Sequence, residues 1–334
     1  MIPVGKLQTN HLQALLTNLP QQDSQVLIGP RVGEDAAVIE IGDRCLVVAT
    51  DPVTFATEHI GSYVVHVNAN DVSVSGARPR WFFVVLLIPE RNATVPFVNA
   101  IMGEIRETCD SLGVTVCGGH SEVTAQVDRP ILIGQMLGEV AKTDLIRKAN
   151  IQVGDEVLLT QGVAIEGTAI LAREKNMELR NSIPSVVIER AKRFLFDPGI
   201  SVVETALTAT KAGRVTGMHD PTEGGLVSGL CELATASGKG LRVYRDAIPV
   251  FPETRTICEY FNIDPFRLIA SGALLITTPP SDTRNIMTAL RTKGIPISSI
   301  AEVLPSSHGT TLCVDGKEEQ LSPVDRDEIS KVLS

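Results

Sequence analysis

The stretch GSYVVHVNANDVSVSGARPRWFFVVLLI, residues 61–88, decides the fold. From Gly61 to Gly76 the chain runs without proline and closes on glycine, with Pro79 just beyond. That reads as a helix with a glycine stop. Its β-branched content makes propensity a weak guide, so the stop signals carry the reading. Trp81 to Ile88 is an unbroken apolar run of strand length, the pattern of a buried strand.

Working outward, residues 26–50 hold VLI, AAVIEI and CLVVAT, separated by GPRVGED and GDR. They read as a loop followed by a hairpin whose second strand ends in Thr50-Asp51-Pro52. On the other side, VPFVNAIMGEIRETCDSLG is an amphipathic helix ending at Gly113, and VTVCGG and PILIGQMLGEV are two further strands. The order β-β-α-β-α-β-β fills residues 1 to about 145 as one layered domain, helices against a mixed sheet.

The chain changes character at IRKANIQVGDEV, where a polar stretch ends in the turn signal Gly154-Asp155 before the strand EVLLT. This predicts an N-terminal domain over residues 1–150 and a C-terminal α+β domain over 151–334, in keeping with the length prior. The second half reads as helices near 164–174, 185–195, 200–212, 252–260 and 281–293. Between them lie the strands VTGMH, ALLITT, ISSIAEV and TTLCV, and DPTEGG runs into the helix LVSGLCELATASG. A polar tail, GKEEQLSPVDRDEISKVLS, closes the sequence.

Aromatic residues make up only 4% of the chain while hydrophobic residues make up 43%, so packing rests on aliphatic side chains, as in α/β layers. The formal net charge of −9 disfavours general nucleic-acid binding, yet it admits a nucleotide whose phosphates a metal ion bridges to carboxylates. The cysteines (45, 109, 117, 231, 258 and 313) are scattered without a C-x-x-C pair and read as free buried thiols of a reducing compartment. No apolar run is long enough to cross a bilayer and no leader opens the chain, so the expectation is a cytoplasmic protein without membrane contact.

Neither G-x-x-x-x-G-K-[ST] nor a strand-to-helix G-x-G-x-x-G is present, and zinc spacings and a nucleophile elbow are missing too. The first domain offers carboxylates at the ends of elements instead. Glu34 and Asp35 follow Gly33, Asp51 ends a strand, and Asn68 and Asp71 lie three apart on one helical face. Converging at a sheet edge, such groups supply the hard oxygens that Mg²⁺ takes alongside phosphate and water. Taken singly, Asp35 also fits a turn, Asp51 a strand-end cap and Asp71 a solvated helix position.

Two glycine-rich corners complete the pattern. Cys117-Gly118-Gly119-His120-Ser121 follows a strand, and Asp220-Pro221-Thr222-Glu223-Gly224-Gly225 joins a strand to a helix. The second exposes backbone N–H groups at a helix start, an anion site, or else is a tight turn with Asp220 or Thr222 as N-cap.

The series GEDAAVI, ATDPVTF, NANDVSVSGARP, GGHSEVT and HDPTEGG, in this order and spacing, resembles the aminoimidazole-ribonucleotide (AIR) synthetase-related, or PurM-like, superfamily, and within it most nearly the hydrogenase-maturation protein HypE. The resemblance spans nearly the whole chain. It implies an N-terminal α/β domain that forms a homodimer through its sheet and a C-terminal α+β domain, with ATP between them and across the dimer interface. Carried over position by position, it makes Asp35, Asp51 and Asp71 the Mg²⁺ or phosphate-orienting carboxylates and Asn68 their support. Gly118, Gly119, Asp220, Thr222, Gly224 and Gly225 would shape the nucleotide site, and Asp71 and His120 would serve the chemistry. The implied reaction uses ATP to phosphorylate an oxygen or amide of a small substrate, which is positioning and charge neutralisation above all.

Two departures bear on that reading. HypE resemblance implies a tail ending in a cysteine that carries the carbamoyl group; here the sequence ends DRDEISKVLS, and Cys313 sits in the strand TTLCV. The other reading is therefore a nucleotide-binding scaffold that engages a maturation partner protein without turnover. His120 stands where HypE-like sequences often carry Asp; it reads as a phosphate contact or general base, or as a hydrogen-bonded turn residue. His219, before the DPTEGG corner, is open in the same way.

Overall fold

A computed structural model describes residues 5–19 and 23–333. These residues cluster into two units, one of residues 24–29 and 36–145, the other of residues 5–19, 23, 30–35 and 146–333. The change of unit at 146 lies beside the expected cut at 150, but the N-terminal stretch and the loop 30–35 cluster with the C-terminal unit. The chain thus opens with a helix of the C-terminal unit, α1 (Thr9–Thr17), before it enters the first sheet.

In the N-terminal unit the strands are β1 (Val26–Ile28), β2 (Ala37–Ile41), β3 (Arg44–Val53), β4 (Arg78–Pro89), β5 (Thr115–Thr124) and β6 (Ile131–Ala141). Two helices cross between them, α2 (Ile60–Ser73) and α3 (Val95–Leu112). The sheet order is β1-β2-β3-β6-β4-β5, antiparallel throughout except where β5 runs parallel to β4. This is the expected α/β layer with a mixed sheet, gaining a short first strand where the sequence reads as loop. α2 packs on β3, β4 and β6, and α3 packs on α2.

Burial along β4 alternates. Phe82, Val84, Leu86 and Ile88 are sealed, while Trp81, Phe83, Val85 and Leu87 on the other face stay half-exposed. The helices therefore cover one face only. α3 ends as its sequence dictates, with Gly113 at φ 68° as left-handed cap.

The C-terminal unit holds β7 (Glu156–Thr160), α4 (Ile165–Glu174), α5 (Asn176–Leu179), α6 (Ser185–Arg193), α7 (Val203–Ala212) and β8 (Gly217–His219). It continues with α8 (Gly225–Ser237), β9 (Gly240–Tyr244), α9 (Pro252–Phe261), β10 (Leu275–Thr278) and α10 (Pro280–Thr292). Then come β11 (Ile297–Leu304), β12 (Thr310–Val314), β13 (Lys317–Gln320) and α11 (Ile329–Leu333). The sheet order is β13-β12-β9-β11-β7-β10-β8, with β12 parallel to β9 and the other pairs antiparallel. Its core gathers Val157 and Leu159 of β7, Leu226, Leu230 and Leu233 of α8, and Ile300 and Val303 of β11.

The tail is more structured than its polarity suggests, because Ile329 and Ser330 are buried. The cysteines are all free; four are buried, whereas Cys117 is exposed and Cys313 partly so. Among the described residues no helix is long and apolar enough to cross a membrane.

One correction concerns the first glycine pair. Gly118 and Gly119 do not form a corner after a strand; they lie inside β5, which continues to Thr124. The β4–β5 register shifts at Phe82/Phe83, and Gly119 sits at φ 150° with its backbone against β4. A Cβ there would fall 1.8 Å from the Val84 carbonyl oxygen, whereas one on Gly118 meets nothing closer than 3.5 Å. Gly119→Ala should therefore cost about 2 kcal/mol or more in denaturant unfolding, and Gly118→Ala less than about 1 kcal/mol. Equal losses would mean that the bulge, not the close approach, selects the glycines.

Candidate functional site

Five charged side chains form a chain of alternating sign within the C-terminal unit. Lys148, in the helical turn 148–150, donates from Nζ to the Gly33 carbonyl at 2.6 Å and to Asp35 Oδ2 at 2.7 Å. The other Asp35 oxygen, Oδ1, lies 2.7 Å from His219 Nδ1 at the end of β8. His219 Nε2 is 3.1 Å from Glu232 Oε2 on α8, and Lys6 Nζ donates to Glu232 Oε1 at 2.9 Å. The Lys148, His219 and Asp35 side chains are 5%, 4% and 9% exposed, so these are charges taken out of water. Such charges persist only when paired.

The pairing sets the protonation states. Burial favours a neutral Asp35, but His219 and Lys148 outweigh it and hold the carboxyl well below the usual carboxylate range. Burial likewise opposes charge on His219, yet Asp35 and Glu232 raise it to about 9. Glu232, pushed up by burial, is pulled down to about 2 by His219 and Lys6. Lys148 is raised despite burial, by Asp35 and Glu34. At neutral pH the imidazole is a cation between two carboxylates.

A cavity of about 400 Å³ adjoins this chain within the same unit, bordered by Lys6, Arg31, Glu34, Glu223, Glu232 and Asp327. Asp220, next to His219, is 1% exposed. The corner after it departs from expectation. Neither Asp220 nor Thr222 caps α8; the N-cap is Gly224 at φ 78°, without a side-chain cap bond. Its N–H is not open to a ligand either, because it donates to Asp327 Oδ2 at 2.5 Å. Asp327 Oδ1 also accepts the N–H groups of Ile269 and Ile329. The tail's own carboxyl fills the anion position that the DPTEGG sequence predicts.

The N-terminal unit carries the remaining predicted residues. Asp51 does not end its strand, since β3 runs on to Val53, pairing Asp51 with Gly134 of β6. Asn68, fully buried on α2, clamps that point. Its Oδ1 accepts the Asp51 N–H at 2.9 Å, and its Nδ2 donates to the Asp51 and Val64 carbonyls at 3.2 and 2.8 Å. Asp71, one turn along the same helix, is only 5% exposed, which overturns the solvated-helix reading. His120 stands on exposed β5, its ring 67% exposed and 3.7 Å from Glu122.

Sequence reasoning singled out Asp35, Asn68 and Asp71 as candidate site residues but missed Lys148, Glu232 and Lys6. Lys148 lies in a polar boundary stretch, Glu232 inside an apolar helix and Lys6 near the start. Only the Glu232 position, one charge in LVSGLCELATASG, gives a local hint of a buried partner.

Residues 33–140 match the family described as AIR synthase related protein, N-terminal domain, and residues 152–313 match its C-terminal domain. A Methanocaldococcus jannaschii protein named for hydrogenase expression/formation is 28% identical over 297 residues, covering 87% of this chain and 84% of the relative. Carbamoyl dehydratase HypE of Cupriavidus necator is 30% identical over 273 residues, covering 78% of this chain and 73% of the relative. The solved structure of HypE in complex with ATP superposes with a TM-score of 0.73 at 21% identity, over 95% of this chain and 91% of that one.

The buried tail carboxyl makes a pH prediction. Burial pushes Asp327 up to about 7, and the N–H donors of Ile329, Gly224 and Ile269 only partly offset it. An unfolded aspartate titrates at 3.8, so between 3.8 and about 7 only the folded state holds the proton, and stability falls as pH rises across that window. Asp327→Asn removes this dependence. Urea unfolding should show wild type losing about 2–4 kcal/mol relative to the variant between about pH 4 and about pH 8. A pH-independent gap would place an ionised carboxylate in the N–H cradle throughout.

Proposed function

The chain belongs to the AIR synthase related protein family, and from that premise we propose that it is an ATP- and Mg²⁺-dependent enzyme that activates an oxygen or amide of a small substrate by phosphorylation. The observation that carries the reading is a set of buried carboxylates, with Asp35 held ionised by two cations and Asp71 and Asp220 almost wholly out of water. Buried carboxylates cost stability and contribute nothing to an apolar core, so their presence supports a ligand that needs them. The names of its relatives support the same class: carbamoyl dehydratase for the enzyme, and ATP for the HypE complex.

Carboxylate oxygens suit Mg²⁺, and we assign Asp35, Asp51 and Asp71 to it. ATP supplies the phosphoryl group when bound. Asn68 fixes the backbone at Asp51, and Lys148 and His219 fix Asp35 as an anion. The cavity beside Glu34 and Glu223, lined by both charged and apolar side chains, suits a small substrate with hydrogen-bonding groups. Gly118, Gly119, Thr222 and Gly225 belong to this reading as backbone that shapes the nucleotide site, and exposed His120 as a group for substrate proton transfer.

Calorimetry with ATP tests the reading. Binding should require Mg²⁺, and Asp71→Ala should weaken it at least about tenfold without loss of fold. Normal binding by that variant would remove Asp71 from the site. Tight binding without any phosphate release, together with capture of a maturation partner, would favour the scaffold reading.

A homodimer is part of the same proposal. The half-exposed row Trp81, Phe83, Val85 and Leu87 forms an apolar stripe, bordered on β5 by His120 and Glu122, that a second copy would cover. Sedimentation should give a dimer, and Val85→Glu a monomer. A wild-type monomer at micromolar concentration would reject it.

A further inference from the structure

The Lys148 ammonium has the surroundings of a bound cation. Three oxygens converge on it: the Asp35 carboxylate at 2.7 Å, the Gly33 carbonyl at 2.6 Å and the Glu34 carboxylate at 3.8 Å. The side chain is only 5% exposed, and it reaches the loop Gly33–Asp35 from a position more than a hundred residues away in sequence. A carboxylate, a second carboxylate and a carbonyl are hard oxygen ligands of the type that divalent cations collect. Lysine is also the side chain that brings a compact point charge on a flexible stem.

We propose that Lys148 is a tethered stand-in for the divalent cation on Asp35, a positioning residue that keeps the carboxylate aimed and competes with Mg²⁺ for it. This rests on the assignment of Asp35 to Mg²⁺. An unshielded Asp35 with Glu34 beside it would collect Mg²⁺, free of nucleotide, from the surrounding solution. With Lys148 in place, one carboxylate charge is already answered, so free Mg²⁺ gains little, and the metal gains more when it arrives with the charge of a triphosphate. His219 cannot take this part, because its ring is fixed from both sides by Asp35 and Glu232. Lys148 has a single carboxylate within hydrogen-bonding distance, and its four-carbon stem has more rotatable bonds than an imidazole side chain.

The direction of the effect separates this role from a structural one. A lysine that merely holds the fold together should, when neutralised, weaken every ligand. A competing cation should, when neutralised, strengthen the metal. Lys148→Gln keeps a polar side chain one atom shorter and removes its charge, so Mg²⁺ without nucleotide, titrated by calorimetry into the full chain, should bind at least about tenfold more tightly than to wild type. Lys148→Arg, which restores the charge, should return the wild-type weakness. Should Lys148→Gln fail to fold, wild type still decides the matter. Saturating Mg²⁺ with ATP should raise acetylation of Lys148 by a soluble reagent, read by mass spectrometry, several-fold as the ammonium leaves Asp35. Unchanged or weaker Mg²⁺ binding in a folded Lys148→Gln, or labelling that Mg²⁺ with ATP leaves unmoved, would overturn the proposal. If wild type binds Mg²⁺ with ATP and Lys148→Gln gains nothing for Mg²⁺ alone, the stand-in role fails and the ATP reading survives. If wild type binds no ATP, the ATP reading fails, and Mg²⁺ alone on Lys148→Gln still judges Lys148.

Discussion

Asp35 is held between Lys148 and His219, and much of the C-terminal unit is arranged to make that possible. A carboxylate out of water needs cations at contact distance, and here they come from a turn at 148–150 and from the end of β8. His219 in turn needs Glu232, and Glu232 is answered by Lys6. Five sequence segments are thereby committed to one network. Removing one partner strands a charge, which is why a network of this kind specifies a structure even where it adds little net stability. The constraint also accounts for the chain's division: the loop 30–35, with strand residues on both sides, clusters with the C-terminal unit because its carboxylate is paired there.

The same unit shows how a sequence signal can be right in kind and wrong in occupant. DPTEGG does place N–H groups at the start of a helix, and a carboxyl group does sit against the Gly224 N–H. That group is Asp327, brought by a tail whose Ile329 is buried. Once the tail is docked, Val324 N–H also donates to Ser228 on the first turn of α8. Local pattern identified the need for negative charge at the helix start. Only tertiary packing could say that the chain supplies it from a hundred residues away.

What was legible follows from how local each signal is. Helix α2 and strand β4 were readable from Gly76, Pro79 and the run Trp81–Ile88, since period and stop residues act within a few positions. Asn68 and Asp71 were readable as one face because their spacing is helical. The continuation of β3 past Asp51 was not, because the hydrogen bonds that extend it come from β6, some eighty residues on. The strand character of Gly118 and Gly119 was hidden for the same reason: glycines usually mark a corner, and here Gly119 admits the backbone of β4. Lys148 was invisible in principle. A lysine in a polar stretch is ordinarily solvated, and nothing within ten residues of it hints at Asp35.

The two units hold their carboxylate-bearing backbone by different physics, and the difference has consequences. In the N-terminal unit Asn68 does the work with a neutral amide, bonded to both backbone groups of Asp51 and to Val64 on its own helix. Gly134 leaves the space, for a Cβ there would lie 2.3 Å from the Asn68 amide nitrogen. Such a clamp carries no net charge, so neither pH near neutrality nor salt alters it. The clamp on Asp35 is made of charges and is sensitive to any cation that can replace one. A neutral clamp fits a group whose place must not change, and a charged clamp fits a group that exchanges partners. On that argument Asp51 is the more firmly fixed of the two, and if Asp35 takes Mg²⁺ as proposed, the loop Gly33–Asp35 is where binding should change the structure most.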